Sequence, residues 1–127
     1  MNLIYEKQTN QSVPDAIKKL ESTLKEKGFG ILWQLNFKDK IQEKGLEFKD
    51  DFVVLEVCNP KIAKDVLDKN IHVGYILPCK MVVRSEGENT YIGMASPEVL
   101  IGLVSDELKN LAKEVETTIK SAIESSI

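Results

Sequence analysis

Two cysteines, each beside a proline, are the residues of this chain best placed for chemistry: Cys58 precedes Asn59-Pro60, and Cys79 follows Leu77-Pro78. They are the only two cysteines in 127 residues. Paired thiols can close a reversible disulfide, hold a soft metal ion or present a thiolate to a ligand. Each motif stands where an apolar, strand-like run meets a turn, the kind of place where loops carry function on a rigid scaffold. The plain alternative is that both are buried, unreactive side chains acting as small hydrophobes.

The neighbours of the cysteines add further candidates. Asn59 is placed to cap a helix that Pro60 begins, which satisfies an otherwise orphan N–H. The start of such a helix also turns positive dipole toward Cys58, which would favour a thiolate or a bound anion. His72 is the only histidine. With Cys58 and Cys79 it makes three potential metal ligands, but without any familiar zinc spacing, and a solvated loop histidine is the simpler reading. Glu56 lies in an otherwise apolar strand. Desolvation there would raise its pKa toward acid–base use, while pairing with Lys80 or Arg84 on a neighbouring strand would make it structural. The Gly28-x-Gly30 pair follows a helix and opens a strand, the reverse of a dinucleotide-binding context, so turn and close-packing roles account for it. No nucleophile elbow is present.

Positioning these residues falls to a regular alternation of elements. Residues 2–8 alternate as an opening strand, with Leu3, Tyr5 and Lys7 on one face and Ile4, Glu6 and Gln8 on the other. Ser12-Val13-Pro14-Asp15 starts a helix with stripe residues Ile17, Leu20 and Leu24, ended by Gly28 or Gly30. Residues 29–37 read as a second strand with Ile31, Trp33, Leu35 and Phe37 on one face. A charged stretch at 38–45 forms one or two helical turns. Residues 52–58 are the most β-prone run. Pro60 opens a helix buried through Ile62, Ala63, Val66 and Leu67. Residues 79–85 and 90–95 form a hairpin around Gly87. Ser96-Pro97-Glu98 starts the last helix, whose stripe of Leu100, Val104, Leu108, Leu111, Val115, Ile119 and Ala122 predicts about 28 residues of continuous helix, roughly 40 Å long. A helix of that length overruns a small sheet and leaves its end free for a partner subunit.

Three of the five strands come late and two are joined by a hairpin. The order therefore predicts an α+β domain: a mostly antiparallel five-stranded sheet packed on the long C-terminal helix, as one domain over residues 1–127. If residues 52–58 and 79–85 pair, the 20 residues between the cysteines form a helical excursion with both thiols at its neck. Strand alternation opposes this meeting. Cys79 shares a face with Met81 and Val83, and Cys58 with Val54 and Glu56, which sets the sulfurs on opposite faces unless the turn at Asn59-Pro60 intervenes.

Composition narrows the function classes. Net charge is −3 and Arg84 is the only arginine, so the chain lacks the basic footprint and bidentate chemistry of a nucleic-acid binder. No apolar run has the length of a membrane span. The N-terminus has no signal-peptide pattern, which predicts a cytoplasmic protein with reduced thiols.

Several motifs together resemble the domain of unknown function 302 family: Gly28-Phe29-Gly30-Ile31-Leu32, Cys58-Asn59-Pro60 followed by Ala63 and Leu67, then Gly74 with Leu77-Pro78-Cys79, and Pro97 at the last helix. The likeness covers essentially the whole chain. It implies a TATA-binding-protein-like fold, β-α-β(4)-α, whose strongly curved sheet grips the long helix, and a homodimer. It implies no reaction. Two positions depart from the pattern: Asn36 stands where an acid is expected, and Ser96 where Asp often precedes the proline.

The combined reading is a homodimeric module that binds a small molecule rather than turning one over, with no cofactor, no nucleic acid and no membrane. Its site is placed between sheet and long helix, near Glu56, Cys58, Asn59, Pro60, Pro78 and Cys79. The alternatives are a thiol-based redox or soft-metal protein using Cys58 and Cys79, and a purely structural dimerisation domain.

Overall fold

Side-chain caps begin most of the helices, and two of them end on glycines with positive φ. In the computed structural model, which describes residues 2–127, Ser12 accepts the N–H of Asp15 at 3.3 Å and opens α1 (Val13–Glu26). Gly28, at φ +84°, stops it: Gly28 N–H reaches Lys25 O at 3.1 Å and Phe29 N–H reaches Leu24 O at 3.0 Å. This is the Schellman pattern, in which a left-handed residue spends the last carbonyls. Gly45 ends α2 (Phe37–Glu43) in the same way. Asn59 caps α3 (Pro60–Lys69), which runs into a 3-10 turn at Ile71–Tyr75, and Ser96 caps α4 (Pro97–Val104). A final helix, α5, spans Lys109–Ser126.

The strands are β1 (Ile4–Thr9), β2 (Gly30–Asn36), β3 (Phe52–Cys58), β4 (Cys79–Glu86) and β5 (Asn89–Ala95). They form one open sheet in the order β1-β5-β4-β3-β2 with every neighbour antiparallel. The α+β architecture with five antiparallel strands and a C-terminal helix is as expected.

Helices α1 and α5 cover one face. Leu20 and Leu24 of α1 and Ile119 and Ile123 of α5 pack on Leu55, Val57, Met81, Val83 and Ile92, all fully buried or nearly so. Thr23 bridges the two helices, its Oγ1 lying 3.0 Å from the carbonyls of both Leu20 and Ala122. A second, smaller core lies under the excursion between β3 and β4, where Val66 and Val73 meet Ile101, Leu108 and Ala112.

Three expectations change. Phe37 heads α2 instead of ending a strand, because Asn36 turns the chain by capping it. Register shifts between Ile31 and Trp33, so Leu32 is an extra residue. Such a bulge reverses the alternation beyond it. Ile31 packs on the core, whereas Trp33 and Leu35 stand opposite Glu56 and Val54 on the other face.

The 28-residue helix is two helices broken at residues 105–108. Ser105 is extended (ψ 116°) and its N–H closes α4 on Ile101 O at 2.9 Å. One straight rod cannot cover both cores. The break lets α4 lie over the excursion and α5 over the sheet, with Leu108 (2% exposed) driven inward between them. Among the described residues no helix is long and apolar enough to cross a membrane.

Candidate functional site

The neck forms as the pairing of residues 52–58 with 79–85 predicts. Val57 faces Cys79 across β3 and β4, which places Cys58 one residue beyond, at the end of its strand and opposite Gly30. There the chain leaves the sheet for α3. Cys58 and Cys79 line one cavity despite their opposite strand parity, Cys58 standing at the last position of β3 where the chain turns into α3.

The cavity lies at the seam between the two cores. The sheet contributes Val57 and Cys79, α3 contributes Ile62, Ala63 and Val66, and the α4–α5 corner contributes Ile101, Leu108, Leu111, Ala112 and Val115. Phe29, Leu77 and Asn59 complete it. Its volume is about 20 Å³, room for a single water-sized guest. The lining is almost wholly apolar, so such a space is dry unless an apolar guest fills it.

Local sequence explains how each wall is set. The Schellman turn after α1 aims Phe29 inward, and Phe29 is 4% exposed. Asn59 accepts the N–H of Lys61 at 3.1 Å and of Ile62 at 3.4 Å, so the cap itself takes the amides that would otherwise meet an anion. Its amide group lies against Gly28, where a Cβ would come within 3.0 Å of Asn59 Nδ2. Gly74 is likewise pressed by Leu67, a Cβ there falling 2.9 Å from Leu67 Cδ2. Leu77-Pro78 is a cis peptide leading into β4.

Both thiols are free, and both are held toward the protonated form. Burial raises the Cys58 pKa. It pushes Cys79 up to about 12, with the negative charge that an ionised Cys58 would carry adding to the effect. This is opposite to the shift that the start of α3 would produce alone. With the amides already occupied by Asn59, desolvation dominates.

Other candidates are not gathered here. Glu56 is half-buried on the opposite face of the sheet, directly across from Lys80. Arg84 is engaged elsewhere, by Glu6 and Glu86. His72 is exposed on the 3-10 turn with its ring 6.3 Å from that of Tyr75. Among the described residues no three His, Cys, Asp or Glu side chains come close enough to hold a metal ion. Pro60 and Pro78 shape the turns at the two sides of the neck but do not line the cavity. Sequence reasoning missed the contributions of Leu108 and Leu111, whose stripe marks them as core without saying which core, and of Ala112, which lies outside that stripe. The Gly28–Asn59 contact was also missed, although the glycine that ends α1 was a usable signal.

The two atypical positions have local partners. Asn36 donates to Asp51 Oδ1 at 3.1 Å while its own oxygen accepts the N–H of Lys38 and of Phe52, each at 3.1 Å. Ser96 donates to Glu116, which also accepts the Glu98 N–H at 3.2 Å. Each neutral side chain thus faces a carboxylate, where an acid would be repelled.

An open antiparallel sheet with α1 and α5 on one face, and an apolar cavity at a cysteine-bearing neck, define the class of protein: a small α+β domain with an internal cavity at the seam of two cores. The chain belongs to the family described as domain of unknown function DUF302, whose sequence profile matches residues 5–126. It is similar to the uncharacterized conserved protein DUF302 from Bacillus stearothermophilus, known from a crystal structure. The two share 40% identity over 100% of each chain, with a TM-score of 0.96. No curated protein matches the chain.

Proposed function

We propose that this protein is a small homodimeric binding module that takes a small apolar ligand into the cavity beside Cys58 and Cys79. The observation that carries the reading is where the cavity lies. Its helical walls belong largely to the second core, so α3 and the α4–α5 corner can shift away from the sheet without breaking the main one. The half-buried Cys58 and Asn59 stand at its outer end. A ligand larger than one water-sized guest enters by that displacement, and apolar burial supplies its affinity.

Thiol exchange and soft-metal binding both require a thiolate. Burial shifts both cysteines away from that form. Binding by the apolar walls is therefore favoured over chemistry by the sulfurs.

Xenon is a suitable probe because it needs only an apolar space. Amide spectra recorded under xenon pressure are expected to shift at Phe29, Ile62, Ala63, Leu108 and Ala112 and to stay still over β1 and β5. Ala112→Leu, which fills the cavity, removes the shifts. Absence of any response, or shifts that persist in Ala112→Leu, overturns the ligand site and leaves the structural dimerisation domain as the reading.

A further inference from the structure

We infer that the sheet face turned away from α1 and α5 is the interface through which a second copy of this chain docks face to face. The inference rests on the homodimer reading above and adds the surface. An antiparallel sheet with one face in water alternates apolar and polar residues. Here the second face carries Ile4 of β1, Trp33 and Leu35 of β2, Phe52 and Val54 of β3, and Val82 of β4. The short α2 touches its edge, Phe37 meeting Phe52 edge-on at 6.0 Å, but none of the α2 residues is buried. Residues 52–55 are apolar on both faces, the pattern of a strand covered on both sides.

The relief and charge of this face suit a copy of itself. A depression of about 330 Å³ lies over β1, β5 and β4, floored by Val82, Gly93 and Ala95. It cannot be filled from within at Gly93, where a Cβ would fall 2.8 Å from Tyr5 O. Ile4, 59% exposed, stands at its rim, and Trp33, 48% exposed, rises on the far side of the sheet. The charges of this face stand beside opposite ones. Arg84 holds Glu6 through two hydrogen bonds of 2.9 Å and lies 4.4 Å from the Tyr91 ring centre, and Glu56 is opposite Lys80. Each of these charged side chains has an opposite charge beside it, which lets a twofold pairing avoid setting like against like. Five strands about 4.8 Å apart, with six or seven residues at about 3.4 Å each, give a flat projection on the order of 500 Å². Two such faces together bury on the order of 1,000 Å², the level a specific interface must reach.

Light scattering on the full chain at about 10 μM, with the emission of Trp33 as the second reading, tests the surface. The wild type is expected at twice the 14.3 kDa chain mass. Val82→Lys in the floor and Ile4→Lys at the rim are each expected to raise the dissociation constant at least about 100-fold, giving monomers with red-shifted emission. Ile4 is exposed on an edge strand, so its variant keeps the fold, checked by an unchanged far-ultraviolet circular dichroism spectrum, since the melt itself falls when a dimer dissociates. A wild-type dimer that both variants leave intact overturns this surface while the homodimer stands. A monomeric wild type overturns both. A monomer whose Trp33 emission shifts when an extended apolar peptide is added assigns the face to a different partner and also overturns the proposal.

Discussion

Ser96 gives its hydroxyl hydrogen to Glu116, so the residue that caps α4 is tied to the middle of α5 across the corner between them. The same Glu116 accepts the Glu98 N–H at 3.2 Å and holds Lys120 at 3.3 Å. One carboxylate thereby fixes the corner that supplies Leu108 to the cavity. Ser96→Ala removes the cap and one donor and is expected to cost about 1–2 kcal/mol. Ser96→Asp keeps a capping oxygen but sets it against Glu116, and loses at least as much. Glu116→Gln in the Ser96→Asp background should recover part of that loss. Urea midpoints for the four proteins of the cycle measure the coupling; strictly additive losses would show that the two side chains do not interact.

Asn36 repeats the arrangement at the other end of the sheet, donating to Asp51 while capping α2. Asn36→Asp opposes two carboxylates there and is expected to destabilise by about 1–2 kcal/mol at pH 7. The deficit relative to wild type should shrink as pH falls toward about 4, where one of the two takes up a proton. A deficit independent of pH would place the damage in lost hydrogen bonding alone. Chemical denaturation at pH 7 and pH 4.5 separates these outcomes.

Gly28 and Gly45 both have positive φ, +84° and +73°, yet only Gly28 has a neighbour in the space a Cβ would fill. Gly45→Ala should therefore cost the left-handed backbone penalty by itself, about 1 kcal/mol. Gly28→Ala adds the displacement of Asn59 and with it part of the α3 cap, so a total of about 2–3 kcal/mol is expected. Thermal melts of the two variants give the difference directly. Equal losses would mean that Asn59 moves aside without consequence.

Cys79 keeps its proton in the folded state to about pH 12, whereas in the unfolded chain it loses it near the ordinary thiol value of about 8.5. Between those values the unfolded state binds fewer protons than the folded one, so this group's contribution to stability is present below about pH 8.5 and declines as pH rises through the interval. Wild type should lose stability from pH 8 to pH 10 more steeply than Cys79→Ala, by up to about 1.4 kcal/mol per pH unit. Iodoacetamide at pH 8 should modify Cys58 ahead of Cys79, since Cys58 stands at the cavity's outer end. Fast labelling of Cys79 in the native protein, or parallel pH profiles for the two chains, would contradict the partly buried, protonated thiol.

Much of the framework was legible residue by residue. The caps at Ser12, Asn59 and Ser96 and the stop at Gly28 follow from side-chain and backbone chemistry that acts within a few residues. The pairing of residues 52–58 with 79–85, and hence a neck at the cysteines, was legible because both runs are strongly β-prone and the chain between them is helical. Less visible was the extra residue at Leu32. Side-chain period reports each strand only up to a bulge, and one added residue turned Trp33 and Leu35 to the other face.

The sequence by itself determined the five strands, the first three helices and their order, and the two ends of the cysteine neck, since each depends on propensities and caps that act locally. Only the tertiary structure decided that the last helical stripe breaks at residues 105–108, because its apolar period is the same whether it covers one core or two. It also decided that Cys58 and Cys79 share a cavity against the parity of their strands, since the chain's departure from the sheet at Asn59 is set by packing among Gly28, Asn59 and α3. What brings those residues together is long-range close packing, which no local period encodes.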